Sequence, residues 1–105
     1  MAKSVSIDDV LRNIMDQSAE IVDVLDPESY DEVHIRGAIN IPIKRLEKEA
    51  SEKISRDKPI VTYSIDYECP ISKMAAEKLE EMGYSDVSYY SGGKKEWIAM
   101  EMPVD

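Results

Sequence analysis

The sequence has almost none of the residues from which disulfides and metal sites are built. Cys69 is the only cysteine and His34 the only histidine among 105 residues. One thiol cannot form an internal disulfide, and one thiol with one histidine falls well short of the ligands of a structural zinc site. We therefore expect no metal and no cofactor, and any redox chemistry of sulfur must use a single thiol.

Long apolar runs are also missing, and so is an excess of positive charge. No segment approaches the roughly 20 consecutive apolar residues of a membrane span. The first residues, Met1 to Lys3, lead directly into polar positions rather than into a secretory apolar run. The 22 acidic residues outnumber 13 basic ones, for a net charge of −9, and this charge repels phosphate backbones and anionic lipids. The sequence predicts a cytoplasmic protein that binds neither nucleic acid nor membrane.

The residues that are present suffice for one core. With 43% hydrophobic residues, the chain is long enough for one compact domain and too short for two ordinary ones. We therefore predict a single domain over residues 1–105.

Helical and strand patterns alternate, which is typical of an α/β domain with a mainly parallel central sheet and helices on both faces. Short apolar runs predict strands over Ile21–Leu25, Ala38–Ile41 and Ile60–Tyr63, and around Val87 and Tyr89. Helices are predicted after the Ser6 cap, from Pro27, after Pro42, from Pro70 until Gly83, and around Trp97 until Pro103. Apolar residues at helical spacing predict the core-facing positions Ile7, Val10, Leu11, Ile14, Ile43, Leu46, Ala50, Ile54, Ile71, Met74, Ala75, Leu79 and Met82.

Several segments, in this order, resemble the rhodanese family. The specific one is His34–Pro42, with the pattern His-Ile-x-Gly-Ala-x-Asn-Ile-Pro, whereas Gly92-Gly93 followed by Trp97 alone would be a weak signal. The other matching stretches are Ile21–Val24, Tyr30, Ile60–Tyr63, Ala75-Ala76 with Leu79, Gly83-Tyr84, Val87 and Pro103. The resemblance covers nearly the whole chain. It implies a rhodanese-like α/β domain with an active-site loop between a central strand and the next helix.

In active relatives that loop begins with a cysteine, which takes a sulfane sulfur from thiosulfate or a thiol donor and passes it on from a persulfide. Inward-turned loop amides and the positive end of the next helix favour an anion there. By the resemblance, the loop of this chain consists of Ser64, Ile65, Asp66, Tyr67, Glu68 and Cys69. Ser64 stands where the family has its nucleophile. Its hydroxyl contains no sulfur and so cannot form a persulfide, and no neighbouring histidine is available to activate it.

The loop is also acidic. Asp66 and Glu68 each oppose a thiolate or an anionic donor by about 1 kcal/mol, and no lysine or arginine lies between Ser64 and Cys69. We therefore expect weak or absent activity with thiosulfate.

Cys69 is the candidate that remains for sulfur chemistry. Some family members carry a second cysteine five residues after the first, ahead of a proline and a serine, as in Cys69-Pro70-Ile71-Ser72. At a helix start, free backbone amides and the helix dipole favour a thiolate. The alternative is that Cys69 is a small, half-buried residue that caps the loop.

The other conspicuous residues have structural interpretations. His34 is expected to make a structural hydrogen bond rather than to act in acid–base catalysis. Asp23 lies inside an apolar strand and must find donors, either backbone amides or the Arg36 guanidinium. Tyr67, at the tip of the loop, is a candidate for shaping a pocket. Gly37, Gly92 and Gly93 are expected where the backbone adopts a conformation, or makes a close approach, that a side chain would obstruct.

Three functions remain open. The first is a sulfurtransferase in which Cys69 carries the persulfide, with thiosulfate or a persulfide as donor and a thiol or a protein as acceptor. The second is a catalytically inactive module that binds a partner or a small anion through the same loop. The third is a phosphatase, because relatives of this fold with a longer loop hydrolyse phosphoesters with a cysteine followed by an arginine. Ser64 and the arginine-free loop disfavour that third function.

Overall fold

The computed structural model describes residues 2–105, which form one sheet covered by helices. In chain order the elements are β1 (Lys3–Ser4), α1 (Ile7–Asp16), β2 (Glu20–Asp23), α2 (Pro27–Glu32), β3 (Ile39–Asn40), a 3-10 turn (Ile43–Arg45), α3 (Leu46–Lys53), β4 (Ile60–Tyr63), α4 (Ile71–Glu81), β5 (Val87–Tyr90) and α5 (Gly93–Ala99). The five strands are parallel and lie in the order β1-β5-β4-β2-β3, so β4 is central. Within the described residues, no helix is both long and apolar enough to cross a bilayer.

Successive residues of each strand point to opposite faces of the sheet, and each face buries its own apolar cluster. Helices α3 and α4 cover one face, where the cluster contains Val22, Val24, Ile60, Val87, Leu46, Ala50, Ala75, Ala76 and Leu79. Helices α1 and α5 cover the other face, where the cluster contains Ile21, Val61, Tyr63, Tyr90, Val10 and Trp97. The predicted α/β fold, with helices on both faces of a parallel sheet, is therefore confirmed.

Two of the predicted helix starts, at Ser6 and at Pro27, are confirmed by their caps. Ser6 accepts a hydrogen bond from the N–H of Asp9, while the Asp9 carboxylate accepts one from the N–H of Ser6. These bonds hold the pKa of Asp9 below its usual range. At α2, the Asp26 carboxylate accepts from the N–H of Ser29, and Pro27 occupies the first helical position. Each cap satisfies backbone donors that the first helical turn leaves unpaired.

Several element boundaries differ from prediction. Strand β1 was not predicted, because its exposed residues Lys3 and Ser4 carry no apolar pattern; it is an edge strand paired with β5. Strand β2 ends at Asp23 rather than at Leu25. The segment after Pro42 begins as a 3-10 turn before α3 starts at Leu46. Pro103 does not end all pairing, because Val104 bridges antiparallel to Ile35.

One core prediction in α4 is wrong. The Met74 side chain is 53% exposed, whereas Ser72 is buried and its carbonyl accepts a hydrogen bond from the Thr62 hydroxyl at 2.7 Å. The buried stripe of the helix runs through Ser72, Ala75, Ala76 and Leu79. At about 100° per residue, Met74 lies nearly opposite that stripe. The polar Ser72 occupies a core position because it is small and faces a polar strand residue.

Candidate functional site

The loop of residues 64–70 lies between the carboxyl end of the central strand β4 and the start of α4. Ligand sites of parallel sheets are commonly found at this edge. The beginning of α5 holds the first two loop residues, because the N–H of Lys94 donates to the carbonyl of Ser64 at 2.9 Å and the N–H of Lys95 donates to that of Ile65 at 2.8 Å. The loop is therefore attached to a helix from a distant part of the chain.

Gly93 makes that attachment possible. Its φ is +68°, and a Cβ there would lie 2.7 Å from the Ser64 carbonyl oxygen and 2.8 Å from the amide nitrogen of Asp66. Both neighbours are backbone atoms, which cannot move aside as a flexible side chain can. The expected close approach is confirmed at this position, and only glycine fits it.

The middle of the loop is closed on itself by Asp66. Its carboxylate accepts a hydrogen bond from the N–H of Glu68 at 3.1 Å, and its carbonyl accepts one from the N–H of Cys69 at 3.2 Å. The backbone amides of Glu68 and Cys69 therefore both have acceptors within the loop.

Ser64 and Cys69, the two candidate nucleophiles, lie in different environments. Ser64 is 1% exposed, and its Oγ has no hydrogen-bond partner. Cys69 is half-buried and follows the exposed Glu68, one residue before the Pro70 cap of α4. Cys69 is therefore more exposed than Ser64. Because an incoming donor must reach the reacting atom, this exposure favours Cys69 as the nucleophile.

Tyr67, at 67% exposed, lines a pocket as expected. Its hydroxyl donates to Glu96 at 3.0 Å, and the hydroxyl of Tyr90 donates to the other oxygen of the same carboxylate at 2.5 Å. The hydrogen bond to Glu96 and the charge of that group raise the pKa of Tyr67, while burial and its own hydrogen bond to Glu96 raise the pKa of Tyr90. Both phenols therefore remain protonated and fix Glu96 beside the loop.

A second pocket, of about 330 Å³, lies at the opposite end of the sheet between Glu20 and Lys58. It contains none of the loop residues, so it is not part of this site.

Asp23 forms a buried hydrogen-bonded pair with Tyr63 beside the loop. The Tyr63 hydroxyl donates to the Asp23 carboxylate at 2.7 Å, and the N–H of Leu25 donates to its other oxygen at 2.9 Å. The prediction of a backbone donor is confirmed, whereas the prediction of Arg36 is wrong. Arg36 is exposed and forms an ion pair with Asp105 at 3.5 Å. The pairing of β2 with β4 places Asp23 directly beside Tyr63, which supplies the second donor.

Burial governs the ionisation of this pair. Loss of hydration raises the pKa of Asp23, although its two hydrogen bonds and the charge of Lys94 oppose that rise. Burial, followed by the charge of Asp23, raises the pKa of Tyr63 well above its usual range. Tyr63 consequently acts as a permanent donor, and its oxygen accepts the N–H of Ile35 at 3.1 Å.

We predict a pH-dependent stability difference between the protein and its Asp23→Asn variant. Because the folded pKa of Asp23 lies above the unfolded value of 3.8, the native state binds more protons between those two values. The free energy of unfolding therefore falls, relative to that of the variant, as the pH rises through this window. Asparagine is uncharged, like a protonated carboxyl, but it does not titrate, so the variant lacks this pH dependence.

Urea unfolding of both proteins at a series of pH values from about 3.5 to 7 measures this difference, and titrations common to both cancel. A difference that does not change with pH, or one that favours the unmodified protein as the pH rises, would contradict the raised pKa. Near-UV circular dichroism checks that the variant keeps its native packing.

Lys94 is a buried cation that nothing in the sequence marks, since lysine is ordinarily exposed. It is 5% exposed, and its Nζ donates to the carbonyl and to the hydroxyl of Ser29 at 2.5 and 2.8 Å. Lys94 thus links α5 to α2 while its backbone N–H holds Ser64.

His34 makes the structural hydrogen bond that was predicted for it. Its Nδ1 lies 2.8 Å from the Tyr30 carbonyl oxygen, and its ring stacks on that of Tyr30.

Comparisons with known proteins agree with this fold. A family model described as a rhodanese-like domain matches residues 6–100. The thiosulfate sulfurtransferase GlpE of Coxiella burnetii is 37% identical over 79 residues, covering 75% of this chain and 71% of that protein. The thiosulfate sulfurtransferase PspE of Escherichia coli is 39% identical over 82 residues, covering 75% and 73%. The crystal structure of the BH2092 protein from Bacillus halodurans superposes with a TM-score of 0.90 at 29% identity, covering 99% of this chain and 77% of that one.

Proposed function

The chain belongs to the rhodanese-like domain family, and on that premise we propose that it accepts a sulfane sulfur on Cys69 and transfers it to a thiol. One observation carries the proposal: the only thiol of the chain is half-buried in the loop that follows the central strand. Ser64, which stands where the family resemblance expects the nucleophile, has a buried hydroxyl and forms no persulfide.

The proposed reaction has two displacements at sulfur. The Cys69 thiolate attacks the outer sulfur of a persulfide donor; the S–S bond of the donor breaks, the donor leaves as a thiolate, and Cys69 becomes a persulfide. An acceptor thiolate then attacks the outer sulfur of that persulfide and regenerates the Cys69 thiolate. Each step makes one S–S bond and breaks another, so no external oxidant or reductant is needed.

The charge of the loop favours persulfide donors over thiosulfate. Asp66 and Glu68 flank the turn that ends at Cys69, and the carboxylate of Asp66 accepts the N–H of Glu68. Because these carboxylates are partly exposed to water, each opposes the binding of the doubly charged thiosulfate by about 1 kcal/mol. A neutral or cationic donor does not meet that repulsion.

Intact-mass spectrometry of the reduced protein tests the proposal. After incubation with a small persulfide donor we expect a gain of one sulfur atom, mapped to Cys69 and removed by a reductant. Thiosulfate should give a smaller gain or none, with weak turnover in a thiosulfate-to-cyanide assay. An unchanged mass with both donors refutes the sulfur carrier, and rapid turnover of thiosulfate refutes the argument from loop charge.

A second function, a non-catalytic module that binds a partner or a small anion, is favoured by one observation. The carboxylate and the carbonyl of Asp66 already accept the N–H groups of Glu68 and Cys69, so these two amides need no substrate as an acceptor. An unchanged mass in the experiment above would support this function.

A further inference from the structure

A pocket of about 340 Å³ lies between the loop and α5, and its lining includes Glu68, the residue before the candidate sulfur carrier. Its walls include the ring of Tyr67 and the methyl group of Ala99. Glu68, another lining residue, directly precedes Cys69, and the backbone N–H of Cys69 is bonded to the carbonyl of Asp66, which also lines the pocket. Cys69 itself does not line the pocket. A ligand whose cationic group lies in the pocket would therefore reach Cys69 with a thiol a few bonds away from that group.

The pocket carries a net negative charge. Three carboxylates line it, those of Asp66, Glu68 and Glu96, against the single ammonium group of Lys95. Glu96 is held in place because each of its oxygens accepts a hydrogen bond from a tyrosine hydroxyl. Fixed negative charge beside an apolar wall attracts a cation that has an aliphatic stem.

The ring of Tyr67 adds a second attraction for a cation. Its hydroxyl is anchored on Glu96 at 3.0 Å while two thirds of its surface remains exposed. An exposed aromatic face attracts an ammonium or guanidinium group. The apolar wall, the carboxylates and the aromatic face thus all favour the same kind of ligand.

We propose that this pocket binds the cationic group of the thiol that exchanges sulfur with Cys69, so that the favoured acceptor is an aminothiol or a cysteine that neighbours a lysine or arginine. The inference rests on the proposed function and adds the class of acceptor. With the cation in the pocket, the acceptor thiolate attacks the outer sulfur of the Cys69 persulfide. The S–S bond to Cys69 breaks, and the sulfur leaves with the acceptor.

Charged thiol reagents test the pocket without requiring sulfur transfer. Methanethiosulfonates that carry 2-aminoethyl or 2-sulfonatoethyl groups each convert the Cys69 thiolate to a mixed disulfide and release methanesulfinate. The ratio of the two rates, cationic over anionic, measures the preference at Cys69. Rates normalised to those with a free small thiol remove the intrinsic reactivity of the reagents.

Four variants decide between a pocket and a general effect of net charge. We expect Glu68→Gln to lower the ratio about fivefold, as the loss of about 1 kcal/mol of attraction implies, and Lys95→Gln to raise it. Glu52→Gln, an exposed carboxylate on α3 that does not line the pocket, should leave it unchanged. Ala99→Leu narrows the pocket without adding charge or an aromatic face and should also lower the ratio. Equal effects of Glu68→Gln and Glu52→Gln, or no effect of Ala99→Leu, would overturn the proposal.

Sulfur transfer from the protein that carries the Cys69 persulfide then shows whether the favoured acceptor is a small aminothiol or a cysteine of another protein. Release of sulfur is compared for 2-aminoethanethiol, 2-mercaptoethanol, and short peptides in which cysteine precedes either lysine or glutamate. Preference for the lysine peptide indicates a protein acceptor, preference for 2-aminoethanethiol alone indicates a small aminothiol, and equal rates with all four overturn the inference. Failure of Cys69 to load sulfur refutes the proposed function instead, while the rate ratios still decide whether the pocket binds cations.

Discussion

Cys69→Ser is expected to abolish sulfur uptake completely, with no reducible gain of mass and no sulfur transfer above the uncatalysed rate. The reason is chemical, because Cys69 is the only thiol in the sequence and a serine hydroxyl does not form a persulfide. Serine is close to cysteine in size, and Cys69 is only half-buried. The free energy of unfolding should therefore change by less than about 1 kcal/mol. Intact-mass spectrometry after treatment with a persulfide donor, together with urea unfolding, measures both quantities.

Ser64→Ala is the matched control for this variant. It removes the buried hydroxyl that has no hydrogen-bond partner and should leave sulfur uptake unchanged while preserving or slightly raising stability. Persistent sulfur transfer by Cys69→Ser would show that a group other than Cys69 carries the reaction. Loss of uptake in Ser64→Ala would assign Ser64 a part in it.

Gly93→Ala is expected to have the largest effect on the fold around the loop, a loss of about 3 kcal/mol of stability together with loss of sulfur uptake. A methyl group at this position would lie within 2.8 Å of three backbone atoms of the loop and would sit at a φ of +68°. Overpacking and a left-handed backbone each cost about 1–2 kcal/mol. To relieve the clash, α5 must move away from Ser64, which breaks the hydrogen bonds of Lys94 and Lys95 to the loop.

Gly37→Ala separates the steric effect from the backbone effect. Gly37 has a φ of +81°, but a Cβ at this position would have no neighbouring atom within 4 Å. This variant should lose only about 1 kcal/mol and retain sulfur uptake. Urea unfolding and intact-mass spectrometry of both variants make the comparison. Equal losses of stability, or full uptake by Gly93→Ala, would contradict a close approach between α5 and the loop.

The position of the candidate loop was predictable because its signals are local. Apolar runs and helical spacing are properties of neighbouring residues, and they mark β4 before the loop and α4 after it. The resemblance added the identity of the loop and drew attention to Ser64 and Cys69. Where a local signal was ambiguous, prediction failed: Met74 has helical spacing from Ile71 and Leu79 does too, but only Leu79 faces the sheet.

The sequence by itself determined the fold class, the order of the elements and the presence of a single thiol in the loop after the central strand, since these follow from local patterns and residue identity. Only the tertiary structure decided which distant residues surround that thiol. The parallel order of the strands brings α5 against the loop, and so places Gly93 at its backbone and Glu96 beside Tyr67. It also pairs Asp23 with Tyr63 instead of Arg36. Such contacts join residues about 30 to 40 positions apart, and they depend on strand order and register, which periodicity along the chain does not specify.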